Sequence, residues 1–115
     1  MRNKFGGAGI ALSCLTLIAV VAGALPAAAK PARCFTTDDG YYACNFTFVE
    51  GDGSFQISAP GVTTYRLIMD DTPGFAWGFA RFSDRFVPLP GQYVRQSDDP
   101  ACWSNPETST KMCAW

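Results

Sequence analysis

From Tyr42 onward the chain alternates large apolar residues with small or polar ones, and turn-forming residues interrupt the pattern about every ten positions. Tyr42, Cys44, Phe46 and Phe48 alternate with Ala43, Asn45 and Thr47 before the turn signal Glu50-Gly51-Asp52-Gly53. Phe55 and Ile57 precede Ala59-Pro60-Gly61, and Tyr65, Leu67 and Met69 precede Asp71-Thr72-Pro73-Gly74. Phe75, Trp77 and Phe79 then alternate with Ala76, Gly78 and Ala80, and Ser83-Asp84 separates them from Arg85, Phe86 and Val87. Successive side chains of a strand point to opposite faces, so a period of two marks strands with one face buried. No stretch after Lys30 carries a helical period. The pattern predicts an all-β chain of six to eight short antiparallel strands, forming a small barrel or a two-layer sandwich.

Four cysteines are placed to staple such a fold. Cys34, Cys44, Cys102 and Cys113 make an even set in a small chain, which predicts two disulfides, with three possible connectivities. Turn chemistry selects among them. Asp38-Asp39-Gly40 suits a type I turn closed by a left-handed glycine, a register that sets Thr37 opposite Tyr41 and Cys34 opposite Cys44. Asn105-Pro106-Glu107-Thr108 suits a second turn, setting Cys102 opposite Cys113 and Trp103 opposite Met112. Each local bond is worth about 2.5–3 kcal/mol through loop closure, against about 4.5 kcal/mol for a crossed pairing. Energy alone does not exclude the crossed pairing, but the two turns favour Cys34–Cys44 and Cys102–Cys113.

The first 29 residues have the layout of a removable export signal. Arg2 and Lys4 precede the uncharged apolar run Ile10 to Ala22, and Ala27-Ala28-Ala29 places a cut before Lys30. An earlier cut after Ala24 also fits the small-residue rule. The apolar run falls short of the roughly 20 residues a transmembrane helix needs, so no stable membrane span is expected after cleavage. Cys14 leaves with the signal, and residues 30–115 form one domain, with Lys30-Pro31-Ala32-Arg33 read as a short linker. The expected destination is the periplasm or the medium of a bacterial cell, where disulfides persist. Eighty-six residues bury a marginal core. Fifteen aromatic side chains and two disulfides compensate.

The chemistry open to this chain is narrow. It has no histidine, which removes His-based nucleophilic and metal mechanisms. Seven basic against ten acidic side chains remain after the signal, a balance unsuited to a nucleic-acid backbone. The cysteine spacings, ten and eleven residues with no C-x-x-C, do not suit zinc. No cofactor or metal site is expected. The acidic pairs Asp38/Asp39, Asp70/Asp71 and Asp98/Asp99 sit at turns, where carboxylates bond local backbone. Glu50 to Ser54 has too few oxygen ligands for calcium, and no Ser or Thr has a partner base. These absences predict a protein that is not an enzyme, with a carboxylate-dependent hydrolase as the weakest alternative.

One segment concentrates specific contacts. Phe75 to Phe86 packs five large rings with Arg81 and Arg85 into twelve residues. The plainest expectation is that Phe75, Trp77 and Phe79 are the core face of a central strand, with Ala76, Gly78 and Ala80 opposite, where another layer or a ligand approaches. The functional alternative is an aromatic platform with arginine donors, with Trp77, Arg81 and Arg85 serving one surface for a cell-envelope glycan or a protein. Arg81 is in phase with Trp77, so it should open to solvent or meet Asp84. The expected role is a non-catalytic binding or structural module of the cell envelope. The alternative is a secreted inhibitor or effector, presenting a rigid loop such as Asn105 to Lys111.

Overall fold

The computed structural model describes residues 29–115, and the expected export signal, with Cys14, lies outside them. Among the described residues nine strands follow one another: β1 (Lys30–Thr36), β2 (Gly40–Phe48), β3 (Phe55–Ala59), β4 (Val62–Met69), β5 (Phe75–Phe82), β6 (Arg85–Pro88), β7 (Tyr93–Arg95), β8 (Cys102–Asn105) and β9 (Thr110–Ala114). Every pairing is antiparallel, and the ladder runs from β1 through β2, β3 and β4 to β5, then through β7 and β8 to β9. β9 returns to pair with β1 at Met112 and Thr36, closing the sheet. Ala76 pairs with Met69 of β4 and Tyr93 of β7, while Ala80 pairs with Tyr65 of β4 and Val87 of β6. β6 and β7 therefore share one edge of β5, interrupted by the Leu89–Gln92 loop. The result is an eight-position up-and-down barrel closed on itself, with β6 as an extension paired only to β5 among the described residues.

Both expected disulfides are present, and their registers differ. Cys102 lies directly opposite Cys113 with Cα atoms 4.1 Å apart, and Trp103 lies opposite Met112. The first hairpin departs from the expected register: Thr36 faces Gly40, Cys34 faces Tyr42 and Cys44 faces Ala32. Cys34–Cys44 is thus a diagonal bridge, Cα to Cα 5.9 Å. The cause is a local side-chain pair. Thr36 Oγ1 donates to Asp39 Oδ2 at 3.0 Å and accepts from Asp39 N at 3.1 Å, tightening the turn around Thr37–Asp39. Thr37 leaves the β1–β2 ladder and bonds Lys111 instead, through Thr37 N to Lys111 O and Lys111 N to Thr37 Oγ1. Lys30-Pro31-Ala32-Arg33 also corrects an expectation. It is the first half of β1, paired to β2 from Lys30 opposite Phe46 onward.

The interior is filled by Cys34, Cys44, Phe55, Ile57, Leu67, Ala76, Tyr93, Trp103 and Met112. Strand alternation places Cys34–Cys44 inside the barrel and Cys102–Cys113 on its outer side, although both of the latter cysteines are buried. β5 reverses the expected orientation. Ala76, Gly78 and Ala80 face inward, and Trp77 stands outward at 45% exposure. The interior is already occupied there. Gly78 lies opposite Leu67, and a Cβ on it would come within 2.4 Å of Tyr93 Cε1. Small residues are what the inner face of β5 accommodates.

Tyr42 places its hydroxyl in a buried position without a hydrogen-bond partner among the described residues. Burial, with lesser contributions from Asp39 and Tyr65, pushes its pKa up to about 12. A buried unpaired hydroxyl costs about 1–3 kcal/mol, so Tyr42→Phe should raise stability by about 1 kcal/mol, read as a higher urea midpoint. The folded state holds this proton more tightly than the unfolded state does. Stability therefore falls as the pH rises past the ordinary tyrosine value towards 12, and Tyr42→Phe should flatten that decline.

Candidate binding surface

The outward side of β5 is a mixed aromatic and cationic surface. Trp77 lies beside Ile68, Phe79 between Arg66 and Pro88, Phe75 beside Val94 and Arg81 beside Phe86. Trp77 and Arg81, four residues apart on one strand, span about 13 Å. The indole of Trp77 is held by a bond from Nε1 to Asp70 Oδ1 at 3.1 Å. The Arg66 guanidinium lies 4.0 Å from the Phe86 ring centroid, and its Nε donates to Gln56 Oε1 at 2.8 Å. Arg81 is exposed, as its phase with Trp77 predicts. Arg85 does not join this surface. It pairs with Phe82, one position out of phase with Arg81, and so belongs to the other face of the sheet. Ile68, Arg66 and Phe86 are members that inspection of the Phe75–Phe86 segment misses or leaves unassigned, and only the β4–β5 register reveals the first two.

Four of the turn carboxylates accept hydrogen bonds from backbone or side-chain donors. Asp52 accepts from Ser54 N, Asp70 from Thr72 N and Trp77, Asp98 from Gln96, and Asp99 from Ala101 N and Trp115 Nε1. The Trp77 indole, then the Thr72 amide, hold the Asp70 carboxyl below its ordinary value. Hydrogen bonds from Ser54 do the same for Asp52, and Gln96 does so for Asp98. Each of these groups binds its proton less tightly when folded. The stability they confer is present above the ordinary carboxylate range and is lost as the pH falls through it and below. Thermal unfolding between about pH 2 and 6 should show that loss, with a shallower slope in Trp77→Phe, which lacks the indole donor.

The loop after Asn105 is pinned down on the barrel. Asn105 is 1% exposed; its Nδ2 donates to Pro90 O at 2.7 Å, and its Oδ1 accepts from Glu107 N and Thr108 N. Gly91 packs so closely that a Cβ would lie 2.5 Å from Asn105 Oδ1. Comparison with family models, with curated proteins and with solved structures finds no match.

Proposed function

We propose that this small disulfide-bonded barrel is an exported, non-catalytic binding module that engages another protein through the outer face of β5. The orientation of β5 carries this reading: Trp77 is turned to solvent, Phe75 and Phe79 share its outward face, and alanine and glycine line the core. Trp and Arg dominate the energetics of protein interfaces, where a few rigid side chains supply most of the affinity. The barrel wall is convex, whereas small-ligand sites are concave, so a flat protein partner suits it better than a sugar. The pinned Asn105 loop gives no support to an inhibitor that inserts a protruding loop. Two disulfides are compatible with the oxidising compartment to which the N-terminal segment would direct the chain.

The test uses residues 30–115 as bait on envelope and culture fractions. Trp77→Ala and Arg81→Ala should each stay folded, with cooperative melting retained, and each should reduce capture at least about tenfold, as expected for hot-spot residues. Capture unchanged by both substitutions would remove the β5 face as the site.

A further inference from the structure

In the eight-position barrel, β1 lies directly across from β5. A second surface of different composition lies at the corner where the outer side of β1, with Arg33 and Phe35, meets the barrel end, where Lys30, Phe46 and Phe48 have the inward phase. Phe35 and Tyr41 are 4.8 Å apart, and Tyr41 and Trp115 are 6.0 Å apart with planes 24° from parallel. Trp115 extends β9 along β1 through Arg33 N to Trp115 O and Trp115 N to Arg33 O. Its indole is held by Asp99 at 3.0 Å. The Arg33 guanidinium lies 4.8 Å from the Tyr41 centroid. Beyond Trp115, Lys30 Nζ lies 5.6 and 5.5 Å from the Phe46 and Phe48 centroids.

Two open cavities, about 310 and about 380 Å³, share Trp115 as a wall. Arg33 and Tyr41 line the first; Lys30, Phe46 and Phe48 line the second, and among the described residues no acidic side chain lines either, the neighbouring Asp99 carboxylate being engaged by the Trp115 indole. These cations rest on rings, which offset their charge only in part and leave their N–H groups free to bond an anion. We propose that this corner binds an acidic polysaccharide. Sugar rings offer an apolar C–H face to Trp115 and Tyr41, and their carboxylates meet Arg33 and Lys30. The two recesses on either side of Trp115 accept successive units of one chain. The overall negative charge of the domain does not prevent this, because charges farther away than about 8 Å are screened at physiological salt. This site stands apart from the β5 surface and does not depend on it.

The experiment uses residues 30–115 carrying Trp77→Phe, so that Trp115 and the buried Trp103 alone fluoresce. Oligogalacturonate should produce a saturable change in emission that weakens as salt rises from about 20 to 150 mM, because ionic contacts are screened. An uncharged cello-oligosaccharide should produce none. By calorimetry, Arg33→Gln and Trp115→Ala, each first shown to melt cooperatively, should each weaken oligogalacturonate binding about tenfold or more, the scale of one lost charge-assisted contact. The proposal is overturned if oligogalacturonate does not bind, if the neutral oligomer binds equally, or if Arg33→Gln binds unchanged. It is likewise overturned if phosphatidylglycerol vesicles or an oligo-dT strand bind more tightly than the acidic sugar.

Discussion

Replacing all four bonded cysteines by alanine should leave residues 30–115 largely unfolded at about 37 °C, as expected when a small secreted domain loses its disulfides. The bridges close loops with sequence separations of 10 and 11. Each closure contributes about 2.5–3 kcal/mol by limiting the unfolded chain. Together they approach the lower end of the roughly 5–15 kcal/mol that holds a typical domain. The two bridges should not be equal. Cys34 and Cys44 belong to the interior cluster, so their replacement also leaves unfilled space among Ile57, Leu67 and Met112, whereas Cys102–Cys113 lies on the outer side. The Cys34/Cys44 double variant should therefore melt lower than the Cys102/Cys113 one. Circular dichroism melts of both pairs and of the quadruple variant check the order. A quadruple variant with a cooperative transition near that of the parent would show that the core suffices alone.

Gly78→Ala should destabilise the protein by about 1–3 kcal/mol, the usual cost of forcing a methyl group into a packed core. The added Cβ meets Tyr93 at 2.4, 3.0 and 3.2 Å from Cε1, Cδ1 and Cζ. The ring has little room to retreat, because Tyr93 is 4% exposed and its strand is paired on both sides. The sign is diagnostic. Glycine in a strand normally costs about 0.5–1 kcal/mol relative to alanine, so a site with free space would gain stability. For a domain of this size a loss of 1 kcal/mol lowers Tm by roughly 4–8 °C. Gly78→Ala combined with Tyr93→Leu should recover part of the loss relative to the sum of the single effects, because the two sites touch. An unchanged or raised Tm for Gly78→Ala would refute the contact.

The strands and the Cys102–Cys113 hairpin were legible because they rest on local chemistry: alternation within a strand, and turn residues between strands. The orientation of β5 was not. Alternation tells which residues share a face, and hydrophobicity then favours the rings as the inward set. What decided otherwise is Tyr93, a residue outside the segment that fills the space behind Gly78. The first hairpin slipped for a similar reason. Asp38-Asp39-Gly40 indicates a turn, but the bonds between Thr36 and Asp39 and those from Thr37 to Lys111 settled its register, and the latter come from the other end of the chain. Lys30-Pro31-Ala32-Arg33 resembled a linker because it shows no alternation of large apolar residues, although it pairs with Ala43 to Phe46 as the outer part of the first hairpin. Of the candidate site, phase alone showed that Trp77 and Arg81 share a face, but not that this face is the outer one. Arg85 was misplaced because the Ser83-Asp84 turn shifts the phase between β5 and β6.

The closing seam has a consequence for the order of assembly. Apart from β5 to β7, which skips only β6, the other pairings join strands that follow one another in the chain, whereas β9 to β1 joins the two extremes of the domain. A ribosome delivers the N-terminal end first. The β1–β2 hairpin and its Cys34–Cys44 bond can therefore form early, but β1 keeps an unpaired edge until Thr110–Ala114 has emerged. Such an edge is a template for strands of other chains. The final five-residue strand is thus a latch. A nascent chain stalled or clipped before it would hold most of its hairpins and still be prone to joining its neighbours, which makes this strand, rather than the core, the point where aggregation is averted.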